Sequence, residues 1–359
     1  MRKLGYEVNY INSDSIKKIY LELTDRCNLD CTICYRKSWE KSYDDMSDEV
    51  YQSFIKNIKE INGLEEIVLG GIGEPTYYGS VLKALEDLKE YKLHITTNGT
   101  LLEEQLIEKI VECVDGITIS VDGVDQYYKN IRGVSLDTVA AGIKKLQEAK
   151  KRLKKETPFL QLQFVASTEN IDNISQVIDF AADLNCHRVV ISSLIPQEYG
   201  NKDKILYTLE NNTKLKEIWH KTRNYALRKG ITVQLPNTHL KTERRCNFID
   251  DITTYVTSNG DVTSCYRLSH DYEEYTFGRR KQVQKHSFGN ILEESLLDIW
   301  NKKEYQQFRY IVHNNLYPSC MDCDLVEGCE LTKSTFEDCY GCMPTCADCL
   351  WSRQFVVCP

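Results

Sequence analysis

Three cysteines packed into one short stretch, Cys27-Asn28-Leu29-Asp30-Cys31-Thr32-Ile33-Cys34, constrain this chain more than any other feature. They directly follow an apolar, β-rich run, Ile19–Leu23, so they sit on a loop at the C-terminal end of a strand. Three thiolates on one loop can hold three irons of a cubane cluster. The next cysteine in the chain is Cys113, so the fourth iron has no neighbouring ligand. An open coordination position is the mark of catalytic rather than structural metal. Read from spacing alone, a zinc knuckle with a distant fourth ligand competes with this.

Cysteine usage along the rest of the chain points the same way. Fifteen cysteines occur in 359 residues, and ten of them fall after residue 245, mostly in short-spaced pairs. Disulfides belong to oxidising compartments and to small domains with poor cores. A chain this long has ample core for one large and one small domain, so metal is the default reading. Met1-Arg2-Lys3 is basic, but Gly5, Glu7 and Asn9 stand where an apolar signal core would lie, and no apolar run is long enough to span a membrane. The expectation is a cytoplasmic protein without a membrane partner. A formal net charge of −8 speaks against nucleic acid. The lysine-rich run Lys144 to Lys155 has leucines and alanines at helical spacing and reads as a solvated helix face.

From about residue 16 to 235 short β-rich runs alternate with helical patterns. The strands expected are Ile19–Leu23, Ile67–Leu69, Leu93–Thr96, Ile117–Val121, Leu160–Val165 and Val189–Ser192. Ser47 is placed to cap a helix with Val50, Phe54, Ile58 and Ile61 on one face, and Val81–Leu88, Leu102–Val111, Ile171–Leu184 and Leu215–Leu227 supply further helices. Repeated β-α units call for a parallel sheet with right-handed crossovers. Six units fall short of a closed eight-stranded barrel, so the fold class expected is α/β: an open, partial (β/α)6 TIM-like barrel with catalytic groups at the C-terminal strand ends. Residues 1–15 are a lead-in, 16–235 the barrel, and 236–359 a cysteine-rich C-terminal iron–sulfur domain. In that last part a hairpin is expected at Tyr255–Thr257 and Val262–Ser264, a helix around Leu292–Arg309, and loop elsewhere, with bound metal supplying folding energy.

The cluster loop has companions at later strand ends. Gly70-Gly71-Ile72-Gly73-Glu74-Pro75 closes the second strand, Thr96-Thr97-Asn98-Gly99-Thr100 the third, and Ser120-Val121-Asp122-Gly123 the fourth, with Arg132 in Ile131-Arg132-Gly133. With its C-x3-C-x2-C loop, this ordered set resembles the radical S-adenosylmethionine (SAM) superfamily. The resemblance implies that Cys27, Cys31 and Cys34 ligate a catalytic [4Fe–4S] cluster whose open iron chelates SAM. It also implies that reductive cleavage yields a 5′-deoxyadenosyl radical for hydrogen abstraction, with an external electron donor such as ferredoxin or flavodoxin. It assigns SAM contacts to Ile33, Gly73, Glu74, Asn98, Ser120, Asp122, Arg132 and Leu194: Glu74 toward the ammonium, Arg132 toward the carboxylate, where a guanidinium fork suits the task. Tyr35, Arg36, Gln163 and Gln197 are barrel-mouth residues able to touch a substrate.

After residue 236, Cys246-x13-Gly260-x4-Cys265, Phe288-Gly289-Asn290-Ile291 and Cys320-x2-Cys323-x5-Cys329 closely resemble the SPASM extension of that superfamily. The extension implies two auxiliary [4Fe–4S] clusters, Cys246 and Cys265 serving the first and Cys320, Cys323 and Cys329 the second. Lys333 stands where the family has another cysteine, so Cys339, Cys342, Cys346, Cys349 and Cys358 compete for the remaining ligand positions. Cys342 is favoured for the first cluster and Cys349 for the second; a mixed cluster-plus-zinc domain is the alternative. Cys113 and Cys186 are isolated and read as small buried hydrophobes.

The closing stretch, Asp338 to Pro359, resembles a narrower group, the SPASM proteins named as maturases of tungsten-containing aldehyde ferredoxin oxidoreductase-type enzymes. That resemblance implies an iron–sulfur, SAM-dependent maturase with a protein or peptide partner, a tungsten oxidoreductase or its cofactor being the object of modification. A peptide maturase forming thioether or carbon–carbon crosslinks is the runner-up, weakened by the 26 residues that precede Cys27. A non-catalytic iron–sulfur electron carrier is the third reading, opposed by Glu74, Arg132 and the open iron.

Overall fold

The computed structural model describes residues 7–39 and 43–357. The barrel half follows the expected alternation: β1 (Lys18–Leu21), α1 (Asp48–Ile58), β2 (Glu66–Leu69), α2 (Val81–Leu88), β3 (Lys92–Thr97), α3 (Glu104–Cys113), β4 (Gly116–Ser120), α4 (Gln126–Arg132), α5 (Leu136–Leu153), β5 (Phe159–Ala166), α6 (Ile174–Asp183), β6 (Arg188–Ser193), α7 (Thr213–Arg228) and a short edge strand β7 (Thr232–Gln234). β1 to β7 pair in sequence order and in parallel. Ser47 caps α1 by accepting from Val50 N, and Val50, Phe54 and Ile58 are buried on its inner face. α5 holds the lysine run on a helix whose Leu136, Val139, Ile143 and Leu146 face the core.

Register decides what the barrel mouth offers. On β5, Leu160, Leu162, Phe164 and Ala166 are buried beneath the helices, so Gln163 and Val165 project from the other face, as the two-residue period of a strand requires. Gln163 lies opposite Ser120 on β4, and Val165 opposite Ser192 on β6. All four line the central cavity.

The C-terminal third continues the same sheet. After α8 (Asn247–Asp250) come β8 (Thr253–Val256), β9 (Asp261–Thr263), a two-stranded hairpin β10 (Tyr272–Thr276) and β11 (Arg279–Val283), β12 (Gly289–Asn290), α9 (Leu296–Trp300) and α10 (Lys303–His313). The β8–β9 hairpin is the one expected, but β8 pairs in parallel with β1, so the ten-stranded order runs β12-β9-β8-β1-β2-β3-β4-β5-β6-β7. Two further departures appear. The helix expected around Leu292–Arg309 is two helices, parted at Asn301–Lys302. The stretch expected as loop contains β10–β11, which turns at Phe277-Gly278, both at positive φ (50 and 80). Among the described residues no helix is long and apolar enough to cross a membrane.

Because β8 covers the edge of β1, the barrel cut off near residue 235 would present that edge bare, and an unpaired strand edge templates aggregation. Residues 16–235 produced alone are expected to be insoluble or to elute as aggregates in size-exclusion chromatography, where the full chain elutes as a discrete species.

Candidate active site

Cys27, Cys31 and Cys34 line one cavity of about 240 Å3 at the C-terminal ends of β1 to β6. Their loop is tied down by its backbone: Thr32 N donates to Ile131 O at the end of α4 (2.9 Å), Cys34 N donates to Cys31 O (3.2 Å), and Thr32 O accepts from Asn201 Nδ2 (3.0 Å). Arg36 Nη2 donates to Leu29 O (2.6 Å), bracing the loop from within. Around the sulfurs stand N–H donors: Asn98 Nδ2 at 3.7 Å from Cys27 Sγ, Leu29 N at 3.4 Å from the same atom, and Arg132 Nη1 at 3.7 Å from Cys31 Sγ. Burial pushes the Cys27 thiol up to about 11. Metal binding there must therefore displace a proton.

The Gly73-Glu74 element is built against that loop. A Cβ on Gly73 would lie 2.2 Å from Thr24 O and 2.7 Å from Arg26 O, both backbone atoms. Only glycine permits this approach, which also lets Glu74 N donate to Arg26 O (2.8 Å). The Glu74 carboxylate is buried. Oε1 accepts from Thr76 N (3.0 Å), Thr76 Oγ1 (2.6 Å) and Thr97 Oγ1 (2.6 Å), and Oε2 from Asn98 N (2.6 Å). Two carboxylate oxygens offer about four lone-pair sites, so the place left for a further donor is on Oε2. Desolvation outweighs these bonds and holds the carboxyl above its ordinary range.

Of the other expected SAM contacts, Ile33, Asn98, Ser120, Arg132 and Leu194 line the cavity with Gly73 and Glu74. Asp122 does not. It is wholly buried behind Arg132, accepting from Arg132 Nε (2.7 Å) and Nη2 (2.5 Å) on one oxygen and from Val165 N (2.8 Å) on the other. It orients the guanidinium rather than facing a ligand. Tyr35, Arg36 and Gln163 also line the cavity. Gln197 is buried outside it, with Nε2 toward Ile195 O (3.5 Å). The sequence reading missed Ser192, Ser193, Tyr266, Trp351, Val356 and Val357, which complete the wall. The last three come from the chain's C-terminal end, which is laced onto β6 by Ser193 N to Phe355 O (3.2 Å) and Val357 N to Ser192 Oγ (3.0 Å).

The C-terminal cysteines fall into sets. Cys246, Cys265, Cys346 and Cys349 line a second, almost wholly apolar cavity together with Tyr266, Arg267, Phe308 and Trp351. Cys349 thus stands with the first set, not the second, and Cys342 stands outside it, with Sγ toward Leu316 O (3.6 Å). Cys320 lies within electrostatic reach of Cys339, and so does Cys342. Cys323 and Cys329 lie on the turns between them, and Cys358 is outside the described residues. Among the described residues no three His, Cys, Asp or Glu side chains converge as ligands of a single ion do. Four thiols ringing one cavity are a donor set of the kind that holds a cubane, whose irons lie apart. Cys113 and Cys186 are buried and solitary.

Comparison with known proteins fits this geometry. The model of the radical SAM superfamily matches residues 21–181, and that of SPASM, an iron–sulfur cluster-binding domain, matches residues 246–324. The chain belongs to the radical SAM superfamily: it is an enzyme of the [4Fe–4S], SAM-dependent type with a SPASM C-terminal domain. More particularly, it is 35% identical over 354 residues to the tungsten-containing aldehyde ferredoxin oxidoreductase cofactor-modifying protein of Pyrococcus furiosus, covering 96% of this chain and 97% of that one. Its fold is shared with Streptococcus suis SuiB bound to the precursor peptide SuiA (TM-score 0.63, 16% identity, 94% of this chain and 77% of that one). It is shared also with anSMEcpe bound to AdoMet and a peptide (TM-score 0.59, 19% identity, 86% of each chain).

Gly73→Ala tests how the site is built. Backbone oxygens on the cluster loop must move to admit the methyl group, a form of overpacking that costs about 1–3 kcal/mol. The variant is expected to melt earlier than the parent and to lose iron selectively from the Cys27/Cys31/Cys34 loop, measured by calorimetry and iron analysis after anaerobic reconstitution.

Proposed function

We propose that this enzyme matures a tungsten-containing oxidoreductase, acting on that enzyme's cofactor or polypeptide, in the cytoplasm and with an electron donor such as ferredoxin or flavodoxin. What supports this most is that the 35% identity to the cofactor-modifying protein runs over 354 residues. It therefore takes in both the barrel and the C-terminal segment that closes the cavity. When bound, the cluster and SAM supply a 5′-deoxyadenosyl radical that abstracts hydrogen.

The protein's own part is to bind, orient and exclude. Cys27, Cys31 and Cys34 hold the catalytic cluster. Arg132, aimed by Asp122 through Nε and Nη2, would offer its remaining N–H groups to the SAM carboxylate, and the remaining acceptor on Glu74 Oε2 would take the ammonium. Leu194 and Ile33, which line the same cavity, would supply apolar surface for the adenosine. Among the described residues the charged side chains lining the cavity are Arg36, Glu74 and Arg132. Gln163, Ser192, Ser193, Ile195, Trp351 and Val356 add uncharged groups to the lining, with amide and hydroxyl groups available to hydrogen-bond a substrate. Cys246, Cys265, Cys346 and Cys349 hold one auxiliary cluster. The cysteines from Cys320 to Cys342 hold a second, giving about 12 irons per chain in three cubanes.

Three measurements bear on this. With a strong reductant the wild type should cleave SAM to 5′-deoxyadenosine and methionine, whereas Cys31→Ala should not and should keep its auxiliary iron–sulfur absorbance. Equal turnover in both proteins would remove Cys31 from the catalytic cluster. Glu74→Gln should weaken SAM binding by about tenfold to a hundredfold, the 1.5–3 kcal/mol of a hydrogen bond to a charged group, with iron content unchanged. In a strain lacking this chain, the tungsten oxidoreductase should lose its activity and regain it on complementation. A fully active tungsten enzyme in that strain would instead favour crosslinking of a peptide.

A further inference from the structure

Four charged side chains are buried together between the two auxiliary cysteine sets. Glu274 and Lys281 are direct cross-strand partners in the β10–β11 hairpin, 1% and 2% exposed. Arg267 is 3% exposed and Asp348 2%. Arg267 Nη2 donates to Glu274 Oε1 (2.5 Å) and to Asp348 Oδ1 (3.0 Å). Lys281 Nζ pairs with Asp348 Oδ2 (2.7 Å) and donates to Thr332 O (2.9 Å). Two cations face two anions, so the charges balance.

The hydrogen bonds do not balance. A guanidinium has five N–H donors in a fixed fork. Nη2 is engaged, while Nε and Nη1 of Arg267 are buried without a partner among the described residues. Leaving such donors of a charged group buried and unpaired is costly, so an acceptor belongs beside them. Arg267 lines the cavity ringed by Cys246, Cys265, Cys346 and Cys349. Cluster sulfides and cysteine thiolates are acceptors of the kind its fork lacks, and the rest of the cavity's lining is nearly all apolar.

We infer that Arg267 is a redox-tuning residue: its Nε–H and Nη1–H donate to the sulfurs of the cluster held by Cys246, Cys265, Cys346 and Cys349, and so raise that cluster's reduction potential. The inference rests on the proposal that those four cysteines hold a cluster. Reduction adds negative charge to the sulfurs, and donors and a positive charge beside them favour the reduced form. At the other end of the chain of ions, Lys281 and Asp348 lie within electrostatic reach of Cys320. The two auxiliary sites thus sit at opposite ends of one fixed arrangement of charge.

The test uses the full-length, anaerobically reconstituted enzyme, titrated electrochemically and followed by electron paramagnetic resonance. Removing Arg267 alone strands Glu274 and Asp348, so the principal variant is the double change Arg267→Gln with Glu274→Gln, which keeps the charges balanced. It should retain all its iron and lower one auxiliary midpoint by about 59 mV or more, a tenfold or greater change in a one-electron equilibrium, with the other midpoints unmoved. A fully loaded double variant with every midpoint unchanged overturns the proposal. So does wild-type enzyme labelled with 15N-arginine whose reduced auxiliary cluster shows no 15N coupling in pulsed resonance, a readout that does not depend on any variant folding. Cys246→Ser with Cys349→Ser separates the two levels of inference. If no iron is lost, the four-cysteine site itself is wrong; if about four irons are lost and the Arg267 results are negative, only the tuning role fails.

Discussion

The mouth of this barrel depends on one buried carboxylate. Parallel strands are held to one another by their ladders, but the ladders stop where the strands stop, and the loops beyond need other ties. Glu74 stands at the end of β2 and accepts from Thr97 and Asn98 at the end of β3, while its own amide binds Arg26 at the start of the cluster loop. One side chain thereby fixes three loops remote from each other in sequence. Its four donors do not offset the loss of water, since the carboxyl remains harder to ionise than usual. A buried anion in that condition gains from any cation brought to it. The feature that organises the loops is also the feature that makes a cationic ligand group welcome at Oε2.

The second constraint is that the two parts of the chain share one cavity and one sheet. A barrel left open after β7 has an edge at β1, and here β8 covers it. Glu22, just past β1, adds a buried pair with His270 (2.9 Å) and also accepts from Ile72 N (3.2 Å) in the loop that carries Gly73. On the far side the C-terminal end packs on β6 and puts Trp351, Val356 and Val357 into the cavity wall. A substrate entering this cavity meets residues from both ends of the chain, so changes in the cysteine-rich part alter the shape of the active site directly.

Much of this was legible from sequence, for identifiable reasons. The six expected strands were found because buried parallel strands are short apolar runs, and the cluster loop because three thiolates at that spacing have few other uses. Glu74, Asn98 and Arg132 were expected at the barrel mouth because they sit at strand ends or on the next helix, and they do line the cavity. Three things were hidden. Asp122 was placed at the ligand because it follows β4, but strand position does not reveal that Arg132 comes between. The partition of the late cysteines depends on how a loop-rich segment folds back, and spacing does not encode that. The β10–β11 hairpin was hidden because Glu274 and Lys281 occupy the middle of its inward face, beside the apolar pair Tyr272 and Val283, and so break the apolar alternation.

Those inward charges raise a question of energetics. Apolar residues of similar volume are often as stabilising as a buried ion network, or more so, because the ions must be stripped of water. What ions supply is register. Shifting one strand of a hairpin by one residue turns each side chain to the other face. For β10–β11 that slip would carry Glu274 away from Arg267 or Lys281 away from Asp348, and leave buried ions unpaired. The same network also places the cysteines. Arg267 follows Cys265 by two residues, and Asp348 lies between Cys346 and Cys349. The ion pair between them (3.0 Å) brings the two halves of the four-cysteine set to one cavity from segments about eighty residues apart. A loop-rich segment with few apolar residues has little else to fix such a distance. The charges therefore help fix where these thiols stand, which would lower the entropy lost on binding the cluster proposed there.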